Sequence, residues 1–199
     1  SSDLMSVKTM RASAETGSYS VIVKLDAGSR MPAAVYLSGM DLTLLSGHIT
    51  YTQDDKKSRL TPGTWGYISA NSKVAAMHAD EESEFLANFY GAVAFLDEQQ
   101  MIKSILTSLD IMRLARQNGV TLVPSTLSGC IQDRPEELKN IPEPLAITGH
   151  NAQKLVDPVQ GQAANSEDYN HPHFVDTKQV PWVILPDLPD IGLKILRVS

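Results

Sequence analysis

Ala27-Gly28-Ser29-Arg30-Met31-Pro32 opens a stretch that continues through Gly39, Leu42-Thr43-Leu44-Leu45, Gly47 and Leu60-Thr61-Pro62-Gly63-Thr64-Trp65-Gly66-Tyr67-Ile68. It closes at Ala70-Asn71-Ser72 and Val74. Glycine and proline recur roughly every eight to twelve residues, with short β-rich runs between them, which is the rhythm of a small antiparallel barrel or sandwich. Met40–Leu45 is the strongest core strand in the chain. Gly47 ends it or bulges it.

Before this stretch, Val7–Ala12 alternates apolar and polar residues as a half-buried strand does. Glu15-Thr16-Gly17-Ser18 makes a turn, and Tyr19–Leu25 is the next strand. Within and after it, Val35-Tyr36 is a short strand. His48–Thr52 forms one arm of a hairpin whose charged tip is Asp54–Ser58, and Trp65–Ser69 returns. Val74–His78 and Glu84–Ala87 are two more strands around the acidic turn Asp80-Glu81-Glu82. Phe89–Leu96 reads as a last, very apolar strand.

The pattern then changes. Ile102, Ile105, Leu106, Leu109 and Met112 fall at helical spacing, with Asp97 and Gln100 able to cap the start and Asn118-Gly119 the end. Ser108 offers an alternative cap for a shorter helix. From residue 125 to about residue 175, Pro135, Pro142, Pro144, Pro158 and the polar run 160–166 disfavour long elements, so this part reads as an extended connection. Ordered patterning resumes at Phe174-Val175, Val180–Pro186 and Gly192–Ser199.

Composition excludes several classes of function. The 199 residues are 42% hydrophobic and 20% charged, ordinary for a globular chain, and the net charge is −6. A polyphosphate surface or an anionic membrane demands a cationic footprint, so nucleic acid and membrane are not expected partners. No run approaches the roughly eighteen apolar residues of a spanning helix. The single cysteine, Cys130, can form neither an internal disulfide nor a thiolate zinc site; a reducing, cytoplasmic compartment is the expectation. No glycine-rich phosphate loop and no Gly-x-Ser-x-Gly elbow is present.

The two ends resemble each other. Ser6–Ser13 (SVKTMRAS) lies over Gly192–Ser199 (GLKILRVS) with the lysine, the arginine and the final serine matched. Alternation alone accounts for part of that match. If the repeat is a duplication, a second barrel opens near Pro181. Otherwise the last strand pairs along a sheet edge of this molecule or of a neighbour, because unpaired it would be an aggregation hazard.

The segment 27–32, Gly39, residues 42–47, Pro62–Trp65 and Tyr67–Asn71 together resemble the two cupin motifs. More narrowly, they are similar to cupins related to acetylacetone- and dihydroxyacetophenone-cleaving dioxygenases, and to the cupin half of certain anti-sigma factors. The resemblance implies a mainly β fold: a cupin-like antiparallel β-barrel (double-stranded β-helix, or jelly roll) with one helix and a long C-terminal extension. It divides the chain into a barrel at 1–97, a helix and connection at 98–179, and at 180–199 the opening strand of a second, truncated barrel or a swapped or edge-pairing strand.

Active members of that group hold Fe(II), Zn or a similar metal through two histidines spaced one apart, a carboxylate and a third histidine. The resemblance puts Ala34 and Tyr36 at the first two positions, Asp41 at the carboxylate and Val74 at the last. Alanine and valine cannot ligate, so no cofactor is expected in this barrel, and Fe(II) or Zn would belong to an absent second one. The reading is a metal-free N-terminal half of a bicupin, dioxygenase-like protein. The alternatives are a non-catalytic or regulatory cupin with a small apolar molecule in its barrel, and a structural oligomerisation domain. A second cupin barrel or further copies of the chain are the expected partners.

Three histidines remain as weak metal candidates. His78 lies four residues beyond the expected ligand position, and it reaches a site only if the turn is longer than the pattern suggests. His171-Pro172-His173 is the one His-x-His; on a strand both rings would share a face, but spacing fixes no third ligand. A loop packed by Pro172 and Phe174 is the simpler reading. His48, after Gly47, reads as a surface strand residue. Trp65 and Tyr67 share a strand face and read as core aromatics.

Overall fold

A computed structural model describes residues 5–53, 56–120, 173–185, 188–194 and 196. The described residues are mainly β with one helix. Its strands in order are β1 (Met5–Ala12), β2 (Tyr19–Leu25), β3 (Arg30–Met31), β4 (Ala34–Tyr36), β5 (Met40–Ser46), β6 (Ile49–Gln53), β7 (Lys56–Leu60) and β8 (Thr64–Ile68). They continue with β9 (Ser72–Val74), β10 (Met77–Ala79), β11 (Ser83–Phe89), β12 (Val93–Leu96) and β13 (Ile102–Leu106). Then come helix α1 (Ser108–Gln117), β14 (His173–Asp176), β15 (Val183–Leu185) and β16 (Leu188–Leu193).

All strand pairs among the described residues are antiparallel. A six-stranded sheet runs β1-β2-β11-β5-β8-β14, and two four-stranded sheets run β3-β10-β6-β7 and β13-β12-β4-β9. Their inner faces share one hydrophobic core that includes Tyr19, Leu25, Tyr36, Leu42, Ile49, Ile68, Met77 and Phe85. Each such side chain contributes about 1.5–3 kcal/mol by leaving water. Strand alternation selects the inner set: on β2 and β11 buried and half-buried residues take turns, as the two-residue side-chain period requires. A smaller cluster of Val35, Ala94, Leu96 and Ile102 packs on the opposite face of β4 and β12.

Several elements differ from the sequence expectation, each for a local reason. Val74–His78 is two strands: β9 pairs with β4, and β10 pairs with β3 and β6 in another sheet. Phe89–Leu96 is interrupted, with Phe89 ending β11 and Val93 starting β12. Gly91 passes so close to Ser38 that a Cβ would meet its Oγ at 2.3 Å. The hairpin's second arm begins at Lys56, so the charged tip is shorter than expected.

The expected helix start is a strand instead. Asp97 and Gln100 build a turn, in which Gln100 N–H donates to the Asp97 carbonyl (3.0 Å) and Met101 N–H to the Asp97 side chain (2.9 Å). That turn sends β13 back along β12. The helix starts at a capping box one residue before the alternative cap: Asp110 N–H donates to Thr107 Oγ1 (3.3 Å), and Thr107 N–H to Asp110 Oδ2 (2.9 Å). It ends, as expected, at Asn118-Gly119, with Gly119 in the left-handed region. Its buried face, Ser108, Ile111, Met112 and Ala115, closes on the barrel and on β1.

At the C-terminal side, β14 pairs with β8 and becomes an edge of the large sheet. Phe174 lies over Gly66, where a Cβ would meet its ring at 2.6 Å, and makes an edge-to-face contact with Tyr51 at 5.4 Å. β15 and β16 pair with one another. β16 ends at Leu193, close to where the last strand was expected to begin. Lys194 Nζ donates to the Thr177 carbonyl (2.6 Å) and lies 4.9 Å from the Trp182 ring centroid. The expected connection from residue 125, with Cys130 and His171, lies outside the described residues apart from its last three, 173–175, which belong to β14.

Two positions are sensitive to single changes. Gly47 has φ +76°, and a Cβ there would meet Glu82 O at 2.4 Å and Ser83 Cα at 2.7 Å. Gly47→Ala is expected to destabilise the fold by about 2 kcal/mol or more, read as a lower urea midpoint with an unchanged slope. Thr107→Ala removes the helix cap and is expected to cost about 1 kcal/mol by the same measurement.

Candidate functional site

The motif positions lie on three strands of the barrel. On β4, Ala34 and Tyr36 face the main core while Val35 faces the smaller cluster. Val74 lies directly opposite Ala34 across the β4–β9 ladder. The interior at these positions is therefore a methyl, a phenol ring and an isopropyl group, all buried.

Asp41 is elsewhere. On β5, Met40, Leu42 and Leu44 are buried and belong to the core, so Asp41 between them faces outward. There it accepts a hydrogen bond from Asn88 Nδ2 (2.8 Å) and one from the Tyr90 hydroxyl. The carboxylate that the motif comparison retains is thus committed to the outer face of the large sheet. Burial pushes the Tyr36 phenol well above its usual range, so it is held neutral and is a poor anionic ligand. The residues present do not fit a divalent metal.

His78 does not reach the interior either. It is exposed on β10 between buried Met77 and Ala79, paired with Thr50 and Arg30. His173 opens β14 opposite Tyr67. His171 lies outside the described residues. His48 bonds to Glu81 through Nδ1, on the rim where Lys24 pairs with Glu82 at 2.8 Å. The acidic turn is thus engaged by basic partners, and exposed pairs of this kind add little to stability. Trp65 and Tyr67 stack on one another at 6.3 Å, half-buried on the face opposite the core. Among the described residues no group of three or more His, Cys, Asp or Glu could hold a metal ion.

What the interior does contain is a cavity of ≈ 40 Å³ lined by apolar and aromatic side chains, among them Tyr19, Tyr36, Met40, Phe85 and Phe89. Tyr19 stacks on Phe89 at 4.5 Å and 14°, and Phe89 on Tyr36 at 6.2 Å and 15°. Tyr19 is 1% exposed, and its buried hydroxyl has no hydrogen-bond partner. Burial first, then Tyr36 and Asp110, push its phenol upward, so it stays protonated and able to donate. The sequence reading did not single out Tyr19. Its one signal was its place at the head of an alternating strand, which marks burial but not an unmatched hydroxyl.

A family model described as the ChrR cupin-like domain matches residues 1–94. Acetylacetone dioxygenase from Acinetobacter johnsonii is similar in structure at 18% identity and a TM-score of 0.51, over 55% of this chain and 74% of that one. An RmlC-like cupin protein from Ralstonia eutropha JMP134 is similar at 18% identity and TM-score 0.51, over 64% and 83%. A protein of unknown function with a cupin-like fold from the same organism gives 12% identity and TM-score 0.52, over 62% and 84%. At these identities the likeness is one of fold. No curated protein sequence matches the chain. No helix among the described residues is long and apolar enough to cross a membrane. The first 94 residues thus match a ChrR cupin-like domain model, and the barrel's fold is similar to that of cupin proteins.

Proposed function

We propose that the chain supplies a metal-independent cupin barrel to a dioxygenase-like protein of two barrels, as the half that stabilises the assembly and forms part of a pocket. The observation that carries this is the filling of the motif positions. Ala34 and Val74 have no donor atoms, Tyr36 is a buried neutral phenol, and Asp41 faces away. Any Fe(II) or Zn chemistry then belongs to a second barrel, for which the outlying β15–β16 segment would be the lead-in. The ChrR-type family match and the dioxygenase among similar folds support the setting, not the role. The apolar cavity favours one alternative in particular, a non-catalytic barrel that binds a small molecule.

Elemental analysis of the purified 199-residue chain after incubation with Fe(II) or Zn(II) tests the central claim. Substoichiometric metal is expected; one tightly held metal per chain overturns it. The double variant Ala34→His/Val74→His sets two imidazoles opposite one another across β4–β9. It is expected to gain Zn(II) binding that the natural chain lacks, and a folded variant with no gain would show that these are not the motif's ligand positions.

A further inference from the structure

The outer face of the large sheet carries a pattern that a solvated face does not need. Cross-strand partners line up there in two rows across the sheet. One row is Lys8–Ile22–Leu86–Thr43–Trp65–Val175, from β1 to β14. The next is Arg11–Ser20–Asn88–Asp41–Tyr67, from β1 to β8. An antiparallel sheet with one face in water carries polar residues on that face. Here Ile22, Leu86, Trp65 and Val175 make an apolar row broken only by Thr43, and Trp65 stacks on Tyr67. These four are half-buried, yet none belongs to either hydrophobic cluster among the described residues. Helix α1 does not cover them, because Ile111 and Met112 commit its buried face to the core on the other side of the sheet.

The charges on this face are unevenly placed. Lys8 and Arg11 lie on β1 at one edge, while β8, towards the other, contributes only Trp65 and Tyr67. A two-fold axis parallel to the strands, midway between β11 and β5, therefore makes the face complementary to itself. It lays β2 over β8 of a second copy and β11 over β5. Ile22 then meets Trp65, Leu86 meets Thr43, and Asn88 meets Asp41. Lys8 falls over Val175 and Arg11 over the position of His173, so neither meets a lysine or an arginine. An axis perpendicular to the strands would instead set Lys8 on Lys8. Asn88 gives one Nδ2 hydrogen to its own Asp41 (2.8 Å), and its second is left for the Asp41 opposite.

Two sheets so aligned make an ordinary sandwich, about 10 Å thick with strands crossing at about 30°. Six strands about 4.8 Å apart and about five residues deep give a face of roughly 24 by 17 Å. Over two copies that buries on the order of 1,000 Å², the lower end for a specific interface.

We propose that the outer face of the large sheet is the contact surface of a homodimer, two copies of this chain packed face to face about that axis. The dimer goes beyond the metal-independent reading of the barrel and does not rest on it, since metal content and association are measured separately.

Light scattering of the full chain at about 100 µM is expected to give twice the mass of one chain. Leu86→Lys and Thr43→Glu each place an unpaired charge in the contact, and each is expected to weaken dimerisation at least about tenfold. When the two variants are mixed, the new lysine faces the new glutamate, and the heterodimer is expected to regain most of that loss. Ile22→Lys with Trp65→Glu is a second such pair, which decides the matter where circular dichroism shows a variant of the first pair unfolded. A monomeric natural chain overturns the proposal and leaves the face to another occupant, a second barrel or the chain's own residues 121–172. Single variants that stay dimeric, or a mixture of folded variants that stays monomeric, also overturn it.

Discussion

The two-residue period of β5, locked between β11 and β8, decides what this barrel can hold. Its register pairs Phe85 with Leu44, Ala87 with Leu42 and Phe89 with Met40 on one side, and Leu42 with Gly66 on the other. Met40, Leu42 and Leu44 are thereby fixed inward and Asp41 outward. Turning Asp41 into the barrel would take a slip of one residue, which would expel all three apolar side chains. At about 1.5–3 kcal/mol each, that cost is comparable to the whole stability of an ordinary domain. Asn88 and Tyr90 further hold the carboxylate where it is. No modest adjustment recruits Asp41 as an inner ligand.

The same constraint shapes the interior. A barrel that binds a metal must bury several polar donors and offset their desolvation through the ion. Here those positions carry Ala34, Tyr36 and Val74, and the interior is a packed core with a stacked series Tyr19–Phe89–Tyr36 through it. Stacked rings are rigid fillers with few side-chain torsions, and they hold cavity walls apart where flexible aliphatic chains would collapse. The cavity lies within this aromatic packing, and its lining is apolar.

The barrel was legible in the sequence because its signals are local. Glycine spacing, the alternation of Tyr19–Leu25 and the apolar run at Met40–Leu45 each report on a few neighbouring residues, and each corresponds to an observed strand or turn. The helix start was misread because Ile102, Ile105 and Leu106 belong to a strand whose apolar residues run into the helical stripe Leu109–Met112 without a break in periodicity. The decisive signal was the Thr107–Asp110 capping box, a pair of side chains, not a pattern of hydrophobicity. The outward orientation of Asp41 follows from alternation with Met40 and Leu42. Motif threading overrode it, because a motif compares positions along the chain and not sides of a strand. The unmatched Tyr19 hydroxyl could not be read at all, since whether a buried phenol finds a partner depends on β11, β4 and α1 together.

The core also shows why the barrel draws on residues beyond its motif segment. Ile111 and Met112 of α1 join the same buried cluster as the strands, and Phe174 of β14 packs against it, filling the notch left by Gly66. Phe174 and Gly66 are complementary in a strict sense: a Cβ at Gly66 would occupy the space of the ring, and without the ring the glycine would leave Leu42 and Tyr51 short of contacts. A strand from far along the chain is thus built into the edge of the large sheet. α1 packs against β1 and β14 pairs with β8, at opposite edges of that sheet. Thr177, just after β14, adds to that anchorage, its N–H and its hydroxyl both donating to the Gly63 carbonyl (3.2 and 2.6 Å).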